Sequence, residues 1–396
     1  MHNFDEIVNR KHTYSTQWDY IADRFGKSDL LPFSISDTDF KMPAEVQIAI
    51  AKFNELGIYG YTRWNHDQFK SAIANHYLHR FGITVDQETI IYSPSVMYSV
   101  SILLRELALK KKAILTFTPM YDSFFQVIEE NSLKLVQTEL VNDGTGTFEI
   151  DFQDFEKKVK EVDVFLLCSP HNPTGRLWTN EELSRIVHLC KKENVAIVSD
   201  EIHMDINLTK RKHIPILAFL PEYKNMYLVT SASKTFNTPG LGGSYGFIPN
   251  QIIRERFLTV QKKRDFLNSA STLGIIATMA AYNECEKYID EMCQYVRLNL
   301  ITVEQFIKEH IPEIEYHLSD ATYLAWIDCR RMSYTMDELQ DALINVGKVG
   351  IMDGKIYGGN RYLRMNCGCP LEKVKQGLQG MDKAFEYLRM KKETNV

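Results

Sequence analysis

The chain has 396 residues, 44% apolar and 24% charged, the proportions of an ordinary globular protein and not of a disordered, fibrous or membrane-embedded one. Its 46 Lys+Arg against 51 Asp+Glu leave a net charge of −5, so neither nucleic acid nor an acidic membrane is an expected partner. The length allows two or three domains, each with a full core.

Residues 1–6 show no basic region followed by an apolar stretch, and no apolar run reaches the roughly 18 residues of a membrane span, so a cytoplasmic protein is expected. Residues 1–45 carry no helix–strand alternation and are expected to cover a smaller domain or the site. From about 89 to 250, short apolar runs alternate with helical patterns, and strands are expected at 89–93, 113–116, 135–139, 162–168, 196–199, 226–230 and 244–248. Near-continuous runs such as Val164-Phe165-Leu166-Leu167 are those of strands buried on both faces, as in a mainly parallel sheet. Thr179-Asn180-Glu181-Glu182 has the form of a capping box opening a helix to about Lys192. From Asn283, apolar residues recur every three or four positions to Ile307, which predicts one long helix bridging to a second, α+β domain with strands near 322–328 and 361–366. The expected division is a large domain over 46–283 and a small domain made of 1–45 and 284–396.

Seven cysteines, at 168, 190, 285, 293, 329, 367 and 369, are an odd number set in apolar stretches, which is free-thiol usage in a reducing compartment. Cys367-Gly368-Cys369 has no further ligands beside it, and His76 and His79 share a helical face without a third partner, so no metal is expected.

Four features stand where predicted strands end, the edge at which open α/β sheets bind ligands. Ser95, Val96 and Met97 open a helix after the first strand, where free N–H groups and the helix dipole suit a phosphate. His171-Asn172-Pro173-Thr174-Gly175 comes after the buried strand that ends at Cys168, and by itself is a turn. Asp200, with His203 three residues on, closes the next strand; a carboxylate there needs a cation or several donors to stay ionised. Ser231-Ala232-Ser233-Lys234-Thr235-Phe236-Asn237 sets a lysine among small hydroxyl residues after an apolar strand.

Together these motifs resemble the fold-type-I pyridoxal-phosphate enzymes of the class I/II aminotransferase superfamily. Tyr59-Gly60-Tyr61-Thr62-Arg63-Trp64, Pro119-Met120-Tyr121, Ala321-Thr322-Tyr323-Leu324-Ala325-Trp326 and Arg361-Tyr362-Leu363-Arg364-Met365-Asn366 extend the likeness over most of the chain, which is most similar to the MalY/PatB-type cystathionine β-lyases. The resemblance implies an α/β, PLP-dependent transferase-like fold and pyridoxal 5'-phosphate as cofactor. Lys234 would form the Schiff base with the pyridoxal aldehyde and, once released, act as base at Cα. Asp200 would pair with the pyridinium nitrogen, Asn172 would donate to the ring 3-oxygen, and His203 stands where many aminotransferases carry a tyrosine at that oxygen. Tyr121 would stack on the ring, and Ser95, Val96, Met97 and Ser231 would hold the phosphate. Arg364 would bind the substrate α-carboxylate. Tyr61 would reach the phosphate of a neighbouring subunit, which implies a homodimer; without that role it is part of an aromatic core cluster.

The sequence departs from the family pattern in three places. Ser34, Ser36 and Thr38 replace larger or more apolar residues in the substrate-side loop 31–40, Gly242 stands where many aminotransferases carry a phosphate-binding arginine, and Ser95 stands where glycine is common. The implied reaction is β-elimination from cystathionine or cysteine, giving a thiol, pyruvate and ammonia; the alternative is transamination with a 2-keto acid, for which the same residues would serve. A fold-related transcription regulator would need an extra N-terminal domain, and the family-like pattern already starts by Trp18.

Overall fold

The computed structural model describes residues 2–142, 144, 146–267 and 269–394, and these contain thirteen strands. In chain order they are β1 (Leu31–Pro32), β2 (Ile90–Ser93), β3 (Ala113–Thr118), β4 (Lys134–Asn142), β5 (Phe148–Ile150), β6 (Val164–Cys168), β7 (Ala196–Asp200), β8 (Met226–Thr230), β9 (Ser244–Phe247), β10 (Leu324–Asp328), β11 (Val349–Gly350), β12 (Met352–Asp353) and β13 (Tyr362–Asn366). Eight form one sheet in the order β2-β9-β8-β7-β6-β3-β4-β5. The run β4-β3-β6-β7-β8 is parallel, β9 lies antiparallel between β2 and β8, and β5 closes the far edge antiparallel.

The apolar runs behave as strands with a core on each side. Along β6, Phe165 and Leu167 enter one cluster while Val164, Leu166 and Cys168 enter the other, the period of two that a pleated strand imposes. The predicted strands are all present with ends moved by a few residues. Strand β4 runs on to Asn142, and the three-residue β5 lies outside the prediction because Phe148-Glu149-Ile150 is too short to register as a period. Between strands, helix Val96–Leu107 starts on Ser95, whose hydroxyl accepts from the Tyr98 N–H at 3.2 Å. Helix Asn180–Lys192 opens on the predicted box, Thr179 and Glu182 capping each other.

Two helices meet at Cys285, whose φ of −115° leaves the helical region, Thr272–Glu284 and Glu286–His310, and the second is the long helix expected from Asn283, starting three residues later. The second carries the predicted stripe: Tyr288, Ile289, Met292, Val296, Leu300, Val303 and Ile307 are all buried. Beyond it, β10, β13 and β12 form an antiparallel sheet that sets Trp326 opposite Arg364.

The N-terminal stretch is tied to the C-terminal part of the chain. Through β1 it pairs with β11, and the Asn366 and Asp39 N–H groups donate to the Phe33 and Gly368 carbonyls at 2.9 and 2.8 Å. Phe33 is fully buried against Gly377 of helix Leu371–Thr394, where a Cβ would come within 2.3 Å of the ring. Residues 34–39 are thereby drawn across to the edge of the large sheet. His76 pairs with buried Asp205 at 2.9 Å and stacks on Tyr282, a satisfied core histidine. The seven cysteines are buried free thiols, and among the described residues no helix is long and apolar enough to cross a membrane.

Candidate active site

Register brings the four strand-end motifs to one edge. Cys168 pairs with Asp200, Asp200 with Val229, Thr230 with Tyr245 and Ser93 with Ser244. The segments that leave β2, β6, β7 and β8 and the one that enters β9 therefore meet in a single cleft of about 810 Å³. Ser95, Val96, Met97, Tyr121, Asn172, Asp200, His203, Ser231 and Lys234 all line it. Gly242 and Gly243 form part of its wall; Gly243 has φ +100°, and a Cβ there would press on the Tyr92 ring at 3.3 Å.

Lys234 stands on the one-turn helix Ser233–Phe236, closed by Asn237 in the left-handed conformation at φ 54°. Its Nζ donates to the Ser36 carbonyl at 2.6 Å. Burial lowers this amine to about 8; of the charges near it, Asp37 and Asp200 pull it up and Arg364 pushes it down. Asp200 accepts one backbone bond, from the Ile202 N–H at 3.1 Å, and burial raises it to about 7. Burial pushes His203 down to about 3, helped by Lys234 and Arg364, so its ring is neutral; its Nδ1 is buried without a partner. Ser231 donates its hydroxyl to the Gly243 carbonyl at 2.9 Å and accepts from the Ser233 N–H at 3.2 Å. Half-buried Tyr121 starts helix Asp122–Glu130, with burial raising its phenol.

Arg364, buried on β13, donates Nη1 to the Asn172 Oδ1 at 3.2 Å and Nη2 to the Ser34 carbonyl at 2.9 Å, with its guanidinium 4.2 Å from the centre of the Tyr357 ring. Its Nε has no partner. The structure therefore joins ten of the eleven site residues read from the sequence. The eleventh, Tyr61, is 98% exposed on a loop that does not line the cleft, with Ile58 and Phe266 also exposed. It is not part of a core cluster in this chain.

The motifs did not reveal residues 34–39 and their partners as a working wall. Besides the bonds to Ser34 and Ser36, Tyr323 donates its hydroxyl to the Ser36 carbonyl at 2.8 Å, and Asn366 donates to the carbonyls of Ile35 and Asp37. The only signal for this wall was that 31–40, 321–326 and 361–366 each carried a family-like pattern.

The donor set fits a phosphorylated pyridine aldehyde. A primary amine with a lowered pKa lies near a buried carboxylate short of donors, and the neutral imidazole has a free nitrogen. A helix N-terminus and two serines, Ser95 and Ser231, line the same cleft.

The family profile described as aminotransferase class I and II matches residues 28–381. The protein MalY of Escherichia coli (strain K12) is 38% identical over 98% of this chain and 100% of its own length. Cystathionine beta-lyase PatB of Bacillus subtilis (strain 168) is 32% identical, over 97% of this chain and 100% of its own. The crystal structure of the PLP-bound C-S lyase from Staphylococcus hominis superposes with a TM-score of 0.90 at 29% identity, covering 97% of this chain and 98% of that one.

Proposed function

This chain belongs to the aminotransferase class I and II family, and from that premise we propose that it is a pyridoxal-phosphate-dependent carbon–sulfur β-lyase of the cystathionine β-lyase type. The observation that carries the reading is the pairing, in one cleft, of the Lys234 amine with the buried Asp200 carboxylate, in a chain 38% and 32% identical to MalY and PatB over nearly its full length. Bound pyridoxal phosphate would supply an aldehyde for the amine and a ring able to take up the electron pair left at Cα.

The chain's own groups take the remaining tasks. Asp200 would pair with the ring nitrogen of the bound cofactor and keep it positively charged. Asn172 and neutral His203 would hold the ring oxygen, and Tyr121 would stack on the ring. The N–H groups of Val96 and Met97, with the hydroxyls of Ser95 and Ser231, hold the phosphate. Arg364, already aimed by Asn172 and the Ser34 carbonyl, grips the substrate α-carboxylate. Lys234 Nζ takes the Cα proton and passes it on; its lowered pKa of about 8 keeps a fraction of the amine neutral near neutral pH. The substrate class is an L-cysteine conjugate such as cystathionine, with pyruvate, ammonia and a thiol as products.

The active unit in this reading is a homodimer in which exposed Tyr61 reaches the phosphate of the second copy. Residues 46–283 form the cofactor domain, and 1–45 with 284–396 form the small domain. The free thiols agree with a cytoplasmic setting.

Incubation with cystathionine and no keto acid should release pyruvate and thiol steadily. Turnover only after 2-oxoglutarate is added would replace the lyase reading with transamination. Borohydride reduction and then peptide mapping should leave the cofactor on Lys234, and Lys234→Ala should lose both this adduct and turnover; an adduct on another residue would overturn the assignment.

A further inference from the structure

Residues 34–38 present an unbroken series of main-chain carbonyls, each taken by a side chain. Ser34 accepts from Arg364, Ile35 and Asp37 from Asn366, Ser36 from Lys234 and Tyr323, and Thr38 from Arg10 and Asn237. The arginine that grips substrate and the lysine that serves as base thus hang two residues apart on one segment. That segment is fastened from outside by Arg10, with Nη2 on Asp37 Oδ2 at 2.6 Å and Nη1 on Asp39 Oδ1 at 2.8 Å. The other oxygen of Asp37, Oδ1, is buried and has no hydrogen-bond partner. Asp39 is held independently, by Lys373 at 2.6 Å and Trp18 at 3.0 Å.

We propose that Asp37, clamped by Arg10, is a positioning residue for the reaction: its carboxylate is the counter-ion of the Lys234 amine, and its main chain, through Ser36, sets where that amine lies. This rests on the reading of Lys234 as the base at Cα. The charged groups near the amine are Asp37, Asp200 and Arg364; the amine's hydrogen bond goes to the carbonyl of Ser36, next to Asp37 in the chain, and Asp37 Oδ1 is left buried without a donor. In that reading Asp200 is engaged by the ring nitrogen, which leaves Asp37 to balance the ammonium. The Asp37 side chain itself is faced by Arg10, Lys234 and Tyr323. The proton count closes on the lysine alone: the neutral amine takes the Cα proton, becomes an ammonium, and yields that proton to the departing sulfur.

The test is Asp37→Asn, which keeps the side chain's shape and leaves the Arg10–Asp39 fastening intact. In the cofactor-loaded protein kcat should fall roughly 10–100-fold while KM stays within about threefold. Without substrate, the pH at which the bound cofactor's absorbance interconverts should drop by about one unit or more, because a negative neighbour of the amine nitrogen has gone. Asp37→Glu should recover part of both effects. An unshifted titration overturns the proposal, whether kcat is normal or reduced, since a merely structural residue would lower activity and melting temperature without moving it. If the unaltered protein titrates but never releases thiol, the lyase reading fails and the titration still decides the role of Asp37. If it takes up no cofactor, the pH dependence of Lys234 acetylation by trace acetic anhydride supplies the same comparison: a lower apparent pKa in Asp37→Asn supports the proposal, and an equal one overturns it.

Discussion

The strand-end side of the cleft and its 34–39 side are made of different material. At the first, side chains do the binding: Ser95, Asn172, Asp200, Ser231 and Lys234 end buried strands or come just after them, and each occupies a position that only a few residue types could fill. At the second, main-chain carbonyls do the holding, and any residue type offers a carbonyl; the specific groups, Tyr323 just before β10 and Arg364 and Asn366 on β13, come from some 290–330 positions along the chain. In the proposed reading the difference divides the labour: the large sheet would retain the cofactor and the 34–39 segment would align base and substrate.

Arg364→Ala should break this division at its strongest point on the substrate side. Removing a buried guanidinium that pairs with a carboxylate costs on the order of 2–5 kcal/mol, or roughly 30- to several-thousand-fold in kcat/KM, carried mainly by KM. Cofactor absorbance and its retention on gel filtration should stay as in the parent. Loss of cofactor along with substrate affinity would mean that the two sides are not separable.

Asp200→Asn tests the other side through stability. The Asp200 carboxyl titrates ordinarily at 3.8 and in the folded, cofactor-free chain at about 7. Between these values the folded chain holds a proton that the unfolded chain has released, so this group's contribution falls as pH rises from about 4 to 7. His171 and His203, both pushed down to about 3 from 6.5 by burial, act the opposite way between those limits, because there the unfolded chain holds the protons. The substitution removes only the carboxylate's share. The difference in unfolding free energy, variant minus parent, should therefore climb across pH 4–7 by up to roughly 4 kcal/mol and then level off, as read by urea unfolding of the cofactor-free proteins. With pyridoxal phosphate bound the difference should reverse, since the carboxylate then has a cation to face.

Legibility in the sequence divides along the same line. Strands β6, β7 and β8 were legible because burial on both faces writes a continuous apolar run, and the box at Thr179 and Glu182 because capping is a local bargain between neighbours. Lys234, Asp200 and Asn172 were legible because chemistry restricts residue type at a strand end. The long helix Glu286–His310 was legible because its apolar spacing records one buried face along its whole length. The wall at 34–39 was hidden because hydrogen bonds to carbonyls leave no residue signature. Tyr61 was legible as a motif residue, but a role across a subunit boundary has no counterpart within one chain.

The smallest effect bears on the carbonyl wall most directly. Tyr323 is fully buried, with its hydroxyl on the Ser36 carbonyl at 2.8 Å and its ring edge-on to His203 at 5.9 Å. Tyr323→Phe keeps the ring contact and removes one neutral hydrogen bond, worth about 1 kcal/mol. The loss should lie at the low end, because the carbonyl still accepts from Lys234, so the melting temperature should fall by no more than about 2 °C and kcat by a few-fold at most. In a Lys234→Ala background the same substitution strands the Ser36 carbonyl in the interior without a donor and should cost about 1–3 kcal/mol. The double-mutant cycle should therefore show a coupling of at least about 0.5 kcal/mol between two residues 89 positions apart that meet at this carbonyl. Additive effects would mean that the carbonyl finds water or another donor, and that 34–39 lines the cleft without holding its lysine.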